Sequence, residues 1–131
     1  MKALRDAIYS QLTGGTALIA ALGGTAIYHL HAPEDAALPY VVFSWQGGGD
    51  VNIDPNETNE SVQFVRAYAA TDAQAGTLDG LIRARLHRQG LTVTGYNTVW
   101  CWREGDYETV ETTAGSAIYT QGGIYRIRIT K

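Results

Sequence analysis

The residues with the most chemistry to offer begin at His29 and His31, whose spacing puts two imidazoles on one face of an extended segment. Such a pair can hold a metal ion if a third ligand, Glu34 or Asp35, swings in, and it defines one alternative reading, a small metal-dependent enzyme. Asp50, Asn52, Asp54 and Asn56 imitate the first ligands of a calcium loop. Pro55 occupies the position that needs a sharp-turn glycine, and Ser61 stands where the closing glutamate belongs, so the EF-hand pattern fails. Cys101 lies between Trp100 and Trp102 with no base beside it, which fits a buried small side chain rather than a nucleophile. No glycine-rich stretch is followed by Lys-Ser or Lys-Thr, and none has dinucleotide spacing, so the glycines read as turns. No Ser-His-Asp order or carboxylate pair stands out, and the expectation is a protein without catalytic residues, cofactor or metal.

Composition narrows the partners. The chain has 131 residues, 45% hydrophobic and 18% charged, which suits a single domain spanning residues 1–131 around one core. A formal net charge of -3 argues against a sequence-independent grip on nucleic acid. Trp45, Trp100, Trp102 and the eight tyrosines lack the basic neighbours of a base-stacking platform, so they are assigned to core, sheet surface and protein interface. A single cysteine excludes an intrachain disulfide and suits a reducing compartment. The charged start, with Lys2, Arg5 and Asp6, does not look like a signal peptide, and no apolar run approaches the length of a membrane span.

The elements that must position these residues follow from periodicity. Leu4, Ile8 and Leu12 mark a short amphipathic helix ended by Gly14-Gly15. Thr16 is placed to cap a second helix over 17–22, stopped by Gly23-Gly24. A brief strand is expected over 26–30 and a longer one over 40–46, with Pro39 before the latter. The segment from Gly47 to Glu60 reads as a long exposed loop, and 61–70 as a strand. Thr71 and Gln74 have capping-box spacing ahead of the best helix, whose stripe is Leu78, Leu81, Ile82 and Leu86 and whose stop is Gly90. Arg83, Arg85 and Arg88 crowd its last turns, where cations complement the helix dipole. Strands are expected over 91–102 and 117–130, joined by an acidic turn region, with Gly122-Gly123 marking a bulge in the last strand. This order does not alternate. It predicts an α+β fold, with one antiparallel or mixed sheet of four to five strands and helices on one face.

The run Leu18-Ile19-Ala20-Ala21-Leu22-Gly23-Gly24, then Ala26-Ile27-Tyr28, Ala32-Pro33 and Leu38-Pro39-Tyr40-Val41-Val42-Phe43, resembles the tail-completion proteins of long-tailed bacteriophages. These include tail terminators and tail-to-head joining proteins. The likeness continues through 62–70, 73–86 and Gly123-Ile124-Tyr125-Arg126-Ile127-Arg128. It implies a virion structural protein, assembled in the host cytoplasm, that forms a homo-oligomeric ring, in expectation a hexamer, at the head-proximal end of the tail. Such a ring ends tail-tube polymerisation, meets tail-tube and head-connector proteins, contacts no membrane, and lets DNA through its lumen. A head-side neck or connector subunit is the nearest alternative. The likeness assigns no interface residue. Position and composition alone select Trp45 at the end of the strand over 40–46, Gly48, Asp50, Asp54 and Glu57 in the first acidic loop, and Glu104, Asp106 and Glu108 in the second, as candidate subunit contacts.

Overall fold

A computed structural model describes residues 1–51, 57–113 and 115–131. Helices α1 (Lys2–Thr13) and α2 (Thr16–Leu22) lead into strands β1 (Ile27–His29), β2 (Tyr40–Val51) and β3 (Thr58–Ala69). Helix α3 (Asp72–Leu86) and the hairpin of β4 (Asn97–Thr113) and β5 (Ser116–Thr130) complete the chain. The five strands form one sheet in the order β1-β2-β3-β5-β4. Among the described residues only β1 and β2 are parallel, so this α+β sheet is mixed but mostly antiparallel.

Alternation along the central strands creates the two faces. On β3, Ser61, Gln63, Val65, Ala67 and Ala69 are buried, while Glu60, Val62, Phe64, Arg66 and Tyr68 are half-buried. Across the ladder, Tyr125, Ile127 and Ile129 of β5 join the buried side. Against it the helices set Leu4, Ile8 and Leu12 of α1, Leu18 and Leu22 of α2, and Ala75, Leu78, Ile82 and Leu86 of α3, all in one cluster. Each large aliphatic side chain withdrawn this way contributes about 1.5–3 kcal/mol before the entropy of ordering is set against it. Arg85 clasps the helices together: its Nε donates to the Gln11 carbonyl at 2.9 Å, and Gln11 Nε2 donates to the Arg85 carbonyl at 2.7 Å.

Several expectations need correction. Thr16 is the first residue of α2, and Gly15 is its cap. Helix α3 starts as the capping residue requires, with Thr71 Oγ1 accepting from the Gln74 amide at 3.2 Å, but it ends at Leu86 with His87 as cap, before Gly90. The segment 91–96 holds only an isolated bridge between Val93 and Tyr96, so the fourth strand begins at Asn97. Strands β2 and β3 extend well into the supposed loop from Gly47 to Glu60, and β4 and β5 absorb nearly all of the supposed acidic turn region. The ladder between β3 and β5 runs evenly past Gly122-Gly123; the irregularity lies opposite, on β4 between Arg103 and Gly105.

Candidate assembly surfaces

The knot that fixes the edge strand β4 to the helical layer is centred on Arg103. Its side chain is 6% exposed, and two of its nitrogens each donate to Asp79 of α3 at 2.8 Å, a bidentate ion pair. Nε donates to Asp106 at 2.7 Å, and Nη2 donates to the Gly122 carbonyl at 2.6 Å. The guanidinium lies so close to the backbone of Gly123 that a Cβ there would stand 2.5 Å from Nε. Burial is the largest single influence and opposes the charge, but the bonds to Asp79 together with the electrostatic pull of Tyr125 and Asp79 outweigh it and leave Arg103 more basic than usual. Beside it, Tyr125 is pushed up to about 12 by burial. Nothing in the sequence pairs Arg103 with Asp79; the bulge on β4 and two small residues on β5 make the room.

Among the described residues, no helix lies on the opposite face of the sheet. Arg126 bridges Glu60 of β3 at 2.8 Å and Glu104 of β4 at 2.6 Å, a ladder of alternating charge across three strands. The Arg126 bond, the largest influence on Glu104, lowers its pKa. Trp100 and Trp102 stack with centroids 4.4 Å apart, Phe64 meets Tyr107 edge-on at 4.8 Å, and Tyr68 stacks on Tyr40 at 5.0 Å. The Arg66 guanidinium lies 4.5 Å from the centre of the Phe64 ring. Trp102 remains 41% exposed and Tyr107 38%, which leaves aromatic surface of the kind protein interfaces favour.

The seven candidate contacts among the described residues fall in two groups. Trp45 is half-buried and touches the core; Gly48 and Asp50 are exposed on the far half of β2. Asp50 accepts from Asn59 Nδ2 at 3.3 Å. Glu57 accepts from the Tyr96 hydroxyl at 2.8 Å, the bond that most lowers its pKa, and is next influenced by Lys131 at 3.3 Å. Asp54 lies outside the described residues. Glu104, Asp106 and Glu108 sit on β4, with β3 and β5 between them and β2. Glu104 and Asp106 are already engaged by Arg126 and Arg103. Sequence reasoning missed Arg103, Asp79, Arg66 and Tyr107. The alternation of Arg126 and Arg128 against Ile127 and Ile129 was the one available hint of a charged sheet face.

The residues weighed for catalysis are separated. Leu30 adopts φ 71°, which turns the chain immediately after β1, so His29 and His31 do not share a strand face. His29 rests on the Phe43 ring at 5.2 Å, and burial lowers its pKa, whereas His31 is exposed. Among the described residues no three His, Cys, Asp or Glu side chains gather as metal ligands. Cys101 is buried, and burial pushes its thiol up to about 12, far from a reactive thiolate.

Fold and surface thus define a small α+β protein whose conspicuous features are strand edges, a long hairpin and an aromatic sheet face. The chain belongs to the family described as tail completion protein gp17, whose sequence model matches residues 6–119. A chain in the virion of a native gene transfer agent particle shares its fold with a TM-score of 0.80 at 20% identity, covering 98% of this chain and 95% of that one. A second solved chain superposes with a TM-score of 0.63 at 12% identity, covering 99% and 94%. No curated protein matches the sequence.

Proposed function

We propose that this protein is a virion component of a tailed phage or phage-like particle, forming a ring at the head-proximal end of the tail. There it ends polymerisation of the tail tube and presents a docking face to the head connector. The carrying observation is family membership over residues 6–119, joined to a fold shared over nearly the whole chain with a subunit of a gene transfer agent virion. The role is one of assembly, without catalysis: the ionisable side chains of the site lock strands together, as Arg103 does with Asp79 and Arg126 with Glu60 and Glu104. Its partners in this reading are further copies of itself, the tail-tube protein and a head-connector protein, with DNA passing through the lumen and assembly in the host cytoplasm. A ring built from one repeated heterologous contact closes at a fixed copy number, for which six is proposed.

Electron microscopy of particles made without the protein tests this. Overlong tails detached from heads are the expected result. Tails of normal length that fail to meet heads would replace termination with joining, and fully normal particles would overturn the reading.

A further inference from the structure

We propose that consecutive copies join edge to edge, the free half of β2 in one copy adding antiparallel to the free half of β4 in the next. The proposal rests on the ring reading above and names the surfaces that build the ring.

Among the described residues, β2 beside the short β1 and the edge strand β4 are each covered along one half only. On β2, Val41 and Phe43 are engaged by β1 and its flanks: Val41 N–H donates to Ala26 at 2.9 Å, and Leu30 N–H to the Phe43 carbonyl at 2.9 Å. Beyond them, 46–51 has β3 on one side and, among the described residues, no backbone partner on the other. On β4, the connector from α3 covers the first half: Arg88 N–H donates to the Cys101 carbonyl at 2.7 Å, and Arg103 N–H to His87 Nδ1 at 2.9 Å. From Gly105 to Thr113 only β5 is paired, again among the described residues.

Alternation identifies the groups that face outward. Val41 and Phe43 turn away from β3, and the extra residue between Trp45 and Gly47 shifts the alternation, so Gly48 and Asp50 turn outward next. Cys101 and Arg103 turn away from β5, and the shift between Arg103 and Gly105 makes Asp106, Glu108 and Val110 the outward residues. These are the unpaired donors and acceptors that make an edge strand a template for another chain.

Pairing of the two unlike edges keeps the direction of the sheet from copy to copy. Reversal at each of the three ladders from β2 to β4 leaves those two strands antiparallel, so a neighbouring β2 continues the antiparallel pattern. The free half of β2 lies level with the covered start of β4, since Val51 aligns through Thr58 and Thr130 with Asn97. Pairing the free halves therefore staggers adjacent copies by roughly 25 Å, at about 3.3 Å per residue, and stagger is the displacement that strand tilt in a closed sheet requires. The covered halves then fall beyond each other's ends. Because the contact is heterologous, each copy keeps one donor and one acceptor edge, which favours a ring over an isolated pair.

Asp50→Pro and Val110→Pro each remove an outward N–H without breaking a ladder bond inside the chain. Native mass spectrometry of the unmutated protein should show rings, and each variant alone should fall to the 14.2 kDa monomer. Mixed together, the variants should give dimers with one copy of each, since one retains its β4 edge and the other its β2 edge. Rings persisting in either variant, or a mixture that stays monomeric, would overturn edge pairing while leaving the ring reading intact. An unmutated protein that is monomeric at every concentration would overturn both. Hydrogen exchange on the unmutated chain guards against misfolded variants: the amides of Gly48, Asp50, Glu108 and Val110 should slow at least tenfold on assembly, and unchanged exchange there within a ring would sink the proposal.

Discussion

At the scale of single residues, the protein depends on charges that have been withdrawn from water and given partners. Removing Asp79 would leave the Arg103 guanidinium buried beside only Asp106 and neutral acceptors, a situation that typically costs about 3–5 kcal/mol. Asp79→Ala should therefore lower the urea midpoint sharply, and the double variant Asp79→Ala with Arg103→Met should recover much of the loss; equal midpoints for the single and double variants would refute this account. His87 makes a different bargain with solvent. Its Nδ1 accepts the Arg103 amide, so the ring must be neutral there, and after burial the charges of Arg83, Arg88 and Arg103 also lower its pKa. With the folded value below the ordinary 6.5, the unfolded chain takes up the proton first, so this contribution is complete above pH 6.5 and is lost as pH falls through the folded value. Denaturation at stepped pH should show that decline, and His87→Asn, which keeps an acceptor but cannot titrate, should flatten it relative to the parent.

At the scale of elements, the far end of the β2–β3 hairpin hangs on one glycine. Gly48 has φ +89°, and a Cβ on it would run into the Glu60 carbonyl across the ladder. Gly48→Ala combines backbone strain of about 1–3 kcal/mol with that collision, so it should open the hairpin end locally, seen as faster amide exchange from 47 to 51 and from 58 to 61 while α3 stays protected. Local signals made some elements readable beforehand. Thr71 with Gln74 announces α3, and the alternation from Ser61 to Ala69 announces β3, because each signal is contained within a few neighbouring residues. The second half of β4 was not readable. Arg103-Glu104-Gly105-Asp106 has the composition of a turn, and what keeps it extended is the ladder to β5 and an ion pair to a residue 24 positions earlier. The candidate contacts are selected by loop position and composition, and all but Trp45 read as loop residues. That Gly48 and Asp50 lie on β2 and Glu104, Asp106 and Glu108 on the edge strand β4 depends on a strand order, β3 and β5 between β2 and β4, that no local pattern encodes.

At the scale of the whole molecule, the sign of the charge distinguishes one mode of assembly from another. The chain carries a formal net charge of -3, and both free edges share that sign, with Asp50 on β2 and Asp106, Glu108 and Glu111 on β4. Edge pairing brings these carboxylates toward each other, where like charges oppose the backbone bonds. Salt should relieve them: going from about 0.01 M to about 0.15 M shortens the screening length from roughly 30 Å to roughly 8 Å. Association measured by light scattering should therefore strengthen several-fold across that range. The rival geometry sets the basic end of α3, with Arg83 and Arg88 exposed, against the acidic hairpin of a neighbour. That contact is an attraction between opposite charges, and the same salt would weaken it. A ring that loosens as salt is added would therefore move the subunit contact from the strand edges to the helix end.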